Sequence, residues 1–462
     1  MHPVRPSRIA AAVRPTRLAA ALAGLALILT AGPAATAVPA DTAEPRPRSV
    51  TLEEAVTTAM LGQSRAERSP LAERNAGTEV NIQRRHGGWV FGSAVIKAPK
   101  ERRAHPRGWL FLAHEQDGGG WKSALDTDPA FAALVQRAPA AVVSAGEKKT
   151  FAANAMNAQD TPSTQPPQNA RITQNAPGSR QEKTGLALPY TLGKTWKIIG
   201  GLHGWSGQPR PWSSIDLDSR ESNREVLSAQ SGRAYWMCSN GGHLRVVHDN
   251  GWTTEYYHLL DEIRPDGDPV RLGEYLGLTS TRIPCGGSAG SNHVHFALKK
   301  GGSFVPMASN VIGGWDYFEG NSAYGGGAVR GDDYRYTGDD LRNYGPEDGR
   351  TFHREGRTDI PDPGEATAAV KVSGIEGNAP ADLQVYADIH HPYRGDVQLD
   401  LIAPDGTAYR LRDADPNDGG DLIHEQYTVD ASAEPANGTW RLRATDTDGG
   451  DNGYIDAVFL TF

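Results

Sequence analysis

Short stretches in which apolar and polar residues alternate recur along most of the chain, separated by glycine-rich and polar turns. Successive side chains on a strand point to opposite faces, so this period predicts half-buried strands. Within 185–344 strands are expected at 196–200, 213–217, 225–229, 244–248, 253–259 and 293–298, the pattern of an antiparallel β domain with large loops. Within 365–462 they are expected at 368–372, 382–389, 397–403, 408–411, 427–429, 438–444 and 453–462, the spacing of a jelly-roll-like β-sandwich. Residues 41–153 mix the two periods. There 51–60 reads as a helix capped by Thr51 with Glu53 and Glu54 in its first turn, 89–96 and 109–114 as strands, and 129–136 as a short helix. The fold class is therefore mainly β, with an α+β N-terminal unit.

Composition sharpens the boundaries. A chain of 462 residues has room for about three domains. Residues 154–184 are poor in large apolar side chains and rich in Pro, Gln, Asn, Ser and Thr, which predicts a disordered, protease-sensitive linker. A charged stretch with Pro346, Pro361 and Pro363 predicts a second linker at 345–364. At the start, Arg5, Arg8, Arg14 and Arg17 precede an apolar run at 18–29 and the small-x-small triplet Ala35-Thr36-Ala37. This predicts a secretory signal over 1–40, too short in its apolar part for a membrane span. Export to an oxidising compartment would pair Cys238 with Cys285, the only two cysteines.

The formal net charge of −8 is unevenly placed. From Arg357 onward twenty Asp and Glu stand against seven Lys and Arg, so the acidity belongs to the C-terminal unit. No segment reads as a nucleic-acid-binding surface.

Candidate chemistry concentrates in the middle unit. Asn292-His293-Val294-His295-Phe296 places two imidazoles at i and i+2 in a strand-prone context, hence on one face. Four further landmarks accompany it: Gly200-Gly201-Leu202-His203, Pro211-Trp212-Ser213-Ser214-Ile215-Asp216, the run from Gly251 through Glu255, Tyr256, Tyr257 and His258 to Leu259, and Cys285-Gly286-Gly287-Ser288. In this order and spacing the segment 185–308 resembles the lysostaphin-type zinc endopeptidases, most closely their β-lytic and staphylolytic branch. The resemblance implies an antiparallel β-sheet zinc peptidase domain over 185–344. It implies His203, Asp216 and His295 as ligands of one Zn²⁺, and His258 and His293 as catalytic acid/base residues. It also implies a disulfide in the region of Cys238 and Cys285. Two neutral imidazoles and a carboxylate suit zinc, and three protein ligands leave a fourth position for water, as a catalytic site requires. The N-terminal unit, lying between a signal and this domain, is then expected to be a propeptide.

The remaining polar residues receive plainer expectations. His86, His105 and His114 are taken as solvated or structural, and His243 and His248 as strand residues. Glu255, three residues from His258 on one expected strand, is assigned to the opposite face as a solvated charge. Trp205 and Trp212 fit either substrate contact or core packing. His390-His391-Pro392-Tyr393-Arg394-Gly395-Asp396, the turn at 401–407, and Asn437-Gly438-Thr439-Trp440 make 365–462 resemble the proprotein-convertase P domain. Its clustered carboxylates (Asp413, Asp415, Asp418, Asp421, Asp446, Asp448, Asp451) sit on turns that fit either Ca²⁺ or solvent. The function implied is a secreted zinc endopeptidase, monomeric, cutting Gly-containing peptide bridges of bacterial peptidoglycan. The alternatives are a Gly-directed protease on protein substrates and an inactive wall-binding homologue.

Overall fold

The computed structural model describes residues 49–67, 77–101, 104–159, 182–207, 209–219 and 223–462. The expected signal at 1–40 and most of the expected linker at 154–184 lie outside them. Among the described residues no helix is long and apolar enough to cross a membrane.

The chain is mainly β and forms several antiparallel sheets. In the N-terminal unit the helix Leu52–Ala66 begins at a capping box in which Thr51 and Glu54 satisfy each other's backbone N–H groups. It packs on a four-stranded meander, Thr78–His86, Trp89–Ile96, Arg107–Glu115 and Trp121–Leu125, paired in chain order. The helices Pro129–Arg137 and Ala145–Gln159 follow. This unit does not keep its core to itself. Phe91, Leu112, Phe131 and Phe151 share one apolar cluster with Tyr235, Met237 and Val247 of the middle unit.

The middle unit is built on a nine-stranded sheet. Its central neighbours are Gly232–Trp236, His243–His248, Trp252–Tyr257, Val294–Lys300, Ser214–Asp218 and Thr195–His203. One face carries the main core, including Ile198, Ile215, Leu244, Val246, Tyr256, Phe296 and Leu298. The C-terminal unit is a sandwich of two four-stranded sheets. One runs Thr351–Ile360, Gly453–Thr461, Leu383–His390, Leu422–Val429, and the other Gly364–Val372, Gly438–Asp446, Val397–Ile402, Ala408–Arg412. Trp440, Leu399, Val385 and Ile389 meet between them.

Several elements depart from the sequence-based expectation, among them three with a clear physical reason. The strand Thr351–Ile360 occupies half of the expected linker at 345–364, and Thr78–His86 is a strand that the alternation does not announce. Both are edge strands with one partner each, and charged residues that blunt an edge also mask its alternation. The helix Ala145–Gln159 runs past the boundary expected at 153; five of its apolar positions are alanine, which gives little periodic signal.

Candidate metal centre

Register brings the site together. His295 lies opposite Tyr257 on one side and opposite Asp216 on the other, and His203 lies opposite Ser214. Val294, Phe296 and Leu298 point into the main core, so His295, Ala297 and Lys299 occupy the other face. Gly200, opposite Asp216, is required there, because a Cβ would stand 2.6 Å from Asp216 Oδ2.

The polar atoms converge on one point. Asp216 Oδ1 is 2.8 Å from Nδ1 of His295 and 3.4 Å from Nε2 of His203, and those two nitrogens are 3.2 Å apart. His203 Nδ1 donates to the carbonyl of Gly201 at 2.6 Å. A carbonyl only accepts, so the proton sits on Nδ1 and the Nε2 lone pair faces the carboxylate. The same lock recurs twice: His258 Nδ1 donates to Arg282 O and His293 Nδ1 to Ser291 O, each at 2.8 Å. Nε2 of His293 then points at Asp216 Oδ1 from 3.8 Å, and the rings of His258 and His293 are 4.6 Å apart.

Electrostatics hold the set in its metal-ready form. Burial pushes His295 down to about 4 against the pull of Asp216, so its imidazole is neutral at physiological pH. Burial alone would raise Asp216, but His203 and His293 hold it well below the usual carboxylate range. Burial and the neighbouring His293 push His258 down as well. Two imidazole nitrogens and a carboxylate oxygen that all lie within reach of one another, on His203, His295 and Asp216, fit a borderline divalent ion such as zinc.

One histidine reaches the site from elsewhere. His105, expected to be solvated or structural, is 3% exposed and stacks on His295 with ring centroids 4.0 Å apart and planes 7° from parallel. Its Nε2 is 3.3 Å from Nε2 of His258. Since His258 carries its proton on Nδ1, His105 donates into the His258 lone pair. The flanking backbone is fastened down. Ala98 N–H donates to Cys285 O, Trp205 Nε1–H donates to Pro106 O, and the carbonyls of Ala98 and Ala104 lie where side chains at Gly286 and Gly287 would be. No spacing in the sequence signals this, because the contact spans 190 positions.

Glu255 also departs from expectation. It is 1% exposed and on the same face as His295, with Nε2 of His243 at 2.7 Å, Nε of Arg245 at 2.9 Å and Nζ of Lys299 at 3.2 Å. Counting alternate residues back from His258 fails because His258, at φ +70°, follows the end of the strand at Tyr257 and breaks the alternation. What covers that face is the N-terminal unit, since Arg245 also pairs with Asp126 and donates to Gly108 O.

The other expectations sort simply. Cys238 and Cys285 are bonded, with Cα atoms 6.0 Å apart. His243 and His248 are buried strand residues, and Trp205 and Trp212 are both buried, Trp205 with its ring 4.7 Å from that of His295. His86 and His114 lie on the N-terminal sheet away from the site. In the C-terminal unit Asp413 pairs with Arg410, Asp418 with Arg394 and Arg412, and Asp446 with His391.

Comparison with known proteins follows these divisions. Residues 380–462 match the proprotein convertase P-domain model. The chain is 44% identical over 114 residues to the transglutaminase-activating metalloprotease of Streptomyces mobaraensis, covering 25% of this chain and 15% of that protein. It is 32% identical over 151 residues to protease LasA of Pseudomonas aeruginosa, covering 30% of this chain and 35% of LasA. It is 27% identical over 147 residues to the β-lytic metalloendopeptidase of Lysobacter enzymogenes, covering 30% of this chain and 82% of that protein. The chain thus spans about a sixth of the first of these relatives and a third of the second. In its motifs and by these relatives the middle unit is similar to the lysostaphin/LasA/β-lytic metalloproteases, and residues 380–462 match a proprotein convertase P-domain.

Proposed function

We propose that the protein is a secreted zinc endopeptidase that hydrolyses peptide bonds of bacterial peptidoglycan at Gly-containing cross-bridges, and that the N-terminal unit keeps it latent. The observation that carries the catalytic reading is the convergence of His203 Nε2, His295 Nδ1 and Asp216 Oδ1 beside two histidines whose Nε2 lone pairs are free of backbone bonds. Zinc held by these three residues would supply an acidified water and Lewis acidity towards the scissile carbonyl. His293, beside Asp216, is placed to take the proton of the attacking water. His258, whose Nε2 lone pair faces the same site, is placed to take up a proton there and pass it to the leaving amine, help worth ~10²–10⁴-fold. The name of the Lysobacter relative, a β-lytic metalloendopeptidase, supports the endopeptidase reading.

Latency rests on His105. It occupies the lone pair that His258 needs, and it covers one face of His295. Incubating the full chain with pentaglycine, purified peptidoglycan and casein, with and without a chelator, tests both readings once His105→Ala is included. The full chain is expected to be slow, the His105→Ala chain at least about tenfold faster, and chelation to stop both. Hydrolysis of none of the three substrates by either chain sinks the catalytic reading. Equal rates for the two chains sink the latency reading alone.

A further inference from the structure

A second set of two histidines and one aspartate stands in the C-terminal sandwich, far in sequence from the first. Asp388 and His390 are at i and i+2 of the strand Leu383–His390, and His424 lies directly opposite Asp388 on Leu422–Val429. Ala387 and Ile389 point into the sandwich core, so these three side chains share the outer face, which packs on the middle unit through Tyr386 and Lys194. Asp388 is 1% exposed, whereas the imidazoles are partly open at 31% and 20%.

The geometry repeats that of the first site. Asp388 Oδ1 is 2.9 Å from Nε2 of His424 and 3.5 Å from Nε2 of His390. Asp216 Oδ1 is 2.8 Å from one imidazole nitrogen and 3.4 Å from another. At Asp388 the approach is close but outside hydrogen-bond geometry, for Oδ1 and His424 Nε2 are both buried without a directed partner. Atoms that crowd together without pointing at one another are the arrangement expected of donors aimed at a common ligand. His390 is held in place by Tyr454, its ring stacked at 4.7 Å and 7°. The other oxygen of Asp388 faces Nζ of Lys194 at 3.0 Å.

We propose that Asp388, His390 and His424 form a second metal site, selective for a borderline transition ion such as Zn²⁺, Co²⁺ or Ni²⁺. Two imidazoles exclude Ca²⁺ and Mg²⁺ as preferred occupants, since those ions take oxygen donors. Asp388 Oδ1 is the carboxylate ligand, and Lys194 holds Oδ2, so a single buried carboxylate joins the ion to the middle unit.

The test counts metal without turnover, so it stands apart from the catalytic reading. The full chain is stripped with a chelator, reloaded with Co²⁺ or Zn²⁺, and passed through gel filtration before elemental analysis. The parent is expected to retain two equivalents, His203→Ala/His295→Ala one, and the same chain with His390→Ala and His424→Ala added none. The visible Co²⁺ bands of the His203→Ala/His295→Ala chain should vanish with either added substitution singly, which guards against one variant misfolding. Lys194→Met removes the competing cation and should lower Kd about tenfold, or ~1.4 kcal/mol. The proposal is overturned if the His203→Ala/His295→Ala chain retains no metal, if its metal survives loss of His390 and His424, or if Lys194→Met leaves Kd unchanged or raises it.

Discussion

The two histidine–aspartate clusters of this chain are nearly superposable in their shortest distances and differ in what surrounds them. Around Asp216 the close ionisable groups are imidazoles, and its carboxylate finds no cation among the described residues other than histidine. Around Asp388 a lysine already neutralises half of the carboxylate, and solvent reaches both rings. A buried carboxylate with no fixed cation has more to gain from a metal ion than one already paired. The same three residue types can therefore serve as a tight site or a modest one, depending on a single lysine.

The sharpest way to break the comparison is to delete one imidazole from each cluster. With His105→Ala as background, His295→Ala is expected to reduce pentaglycine hydrolysis to the uncatalysed level, whereas His424→Ala leaves the rate within about twofold. Comparable losses from both would dissolve the distinction. His258→Ala sits between them, with a fall of ~10²–10⁴-fold and metal content unchanged.

Next in size is the support beneath the first cluster. Burial alone would raise the Glu255 carboxyl, but Arg245 and Lys299 hold it well below the usual range. Glu255→Gln leaves Lys299 without its carboxylate in the interior and removes one of the two from Arg245, and is expected to cost ~3–5 kcal/mol, read from the urea midpoint. Asp388→Asn leaves Lys194, 23% exposed, with access to water, and the loss there should be smaller. A larger loss at Asp388 would reverse the order of the two sites.

The smallest effect separates the units by pH. Burial pushes His248 down to about 4 from the usual 6.5. Between those values the unfolded chain binds more protons than the folded one, so stability rises with pH across that window and is lost on acidification. From pH 7 to 5 the expected loss through this residue is roughly 2 kcal/mol. His248→Asn should flatten that part of the profile, and an unchanged slope would assign the acid sensitivity elsewhere.

What could be read from the chain follows from the range of the interactions. The middle and terminal β units were legible because alternation and turns are local, and the five residues around the first cluster because their motifs keep a fixed order. His105 was not, since its role depends on a loop from one unit entering another. Glu255 was misassigned because strand parity was counted through a residue in a left-handed backbone conformation. The edge strand at Thr351–Ile360 was hidden by the charges that suit an edge. The second cluster leaves no local motif in the sequence, because one of its three members sits across a strand pair, 34 positions from its nearest partner.

The disulfide between Cys238 and Cys285 lies under Val95, with Ala98 hydrogen-bonded to the carbonyl of Cys285. Both sulfurs are therefore out of reach of a thiol reductant for as long as the N-terminal unit stays in place. If the proposed latency holds, displacing that unit would take Val95 and Ala98 away from this bond, and the ease of its reduction would report whether the unit is still in place.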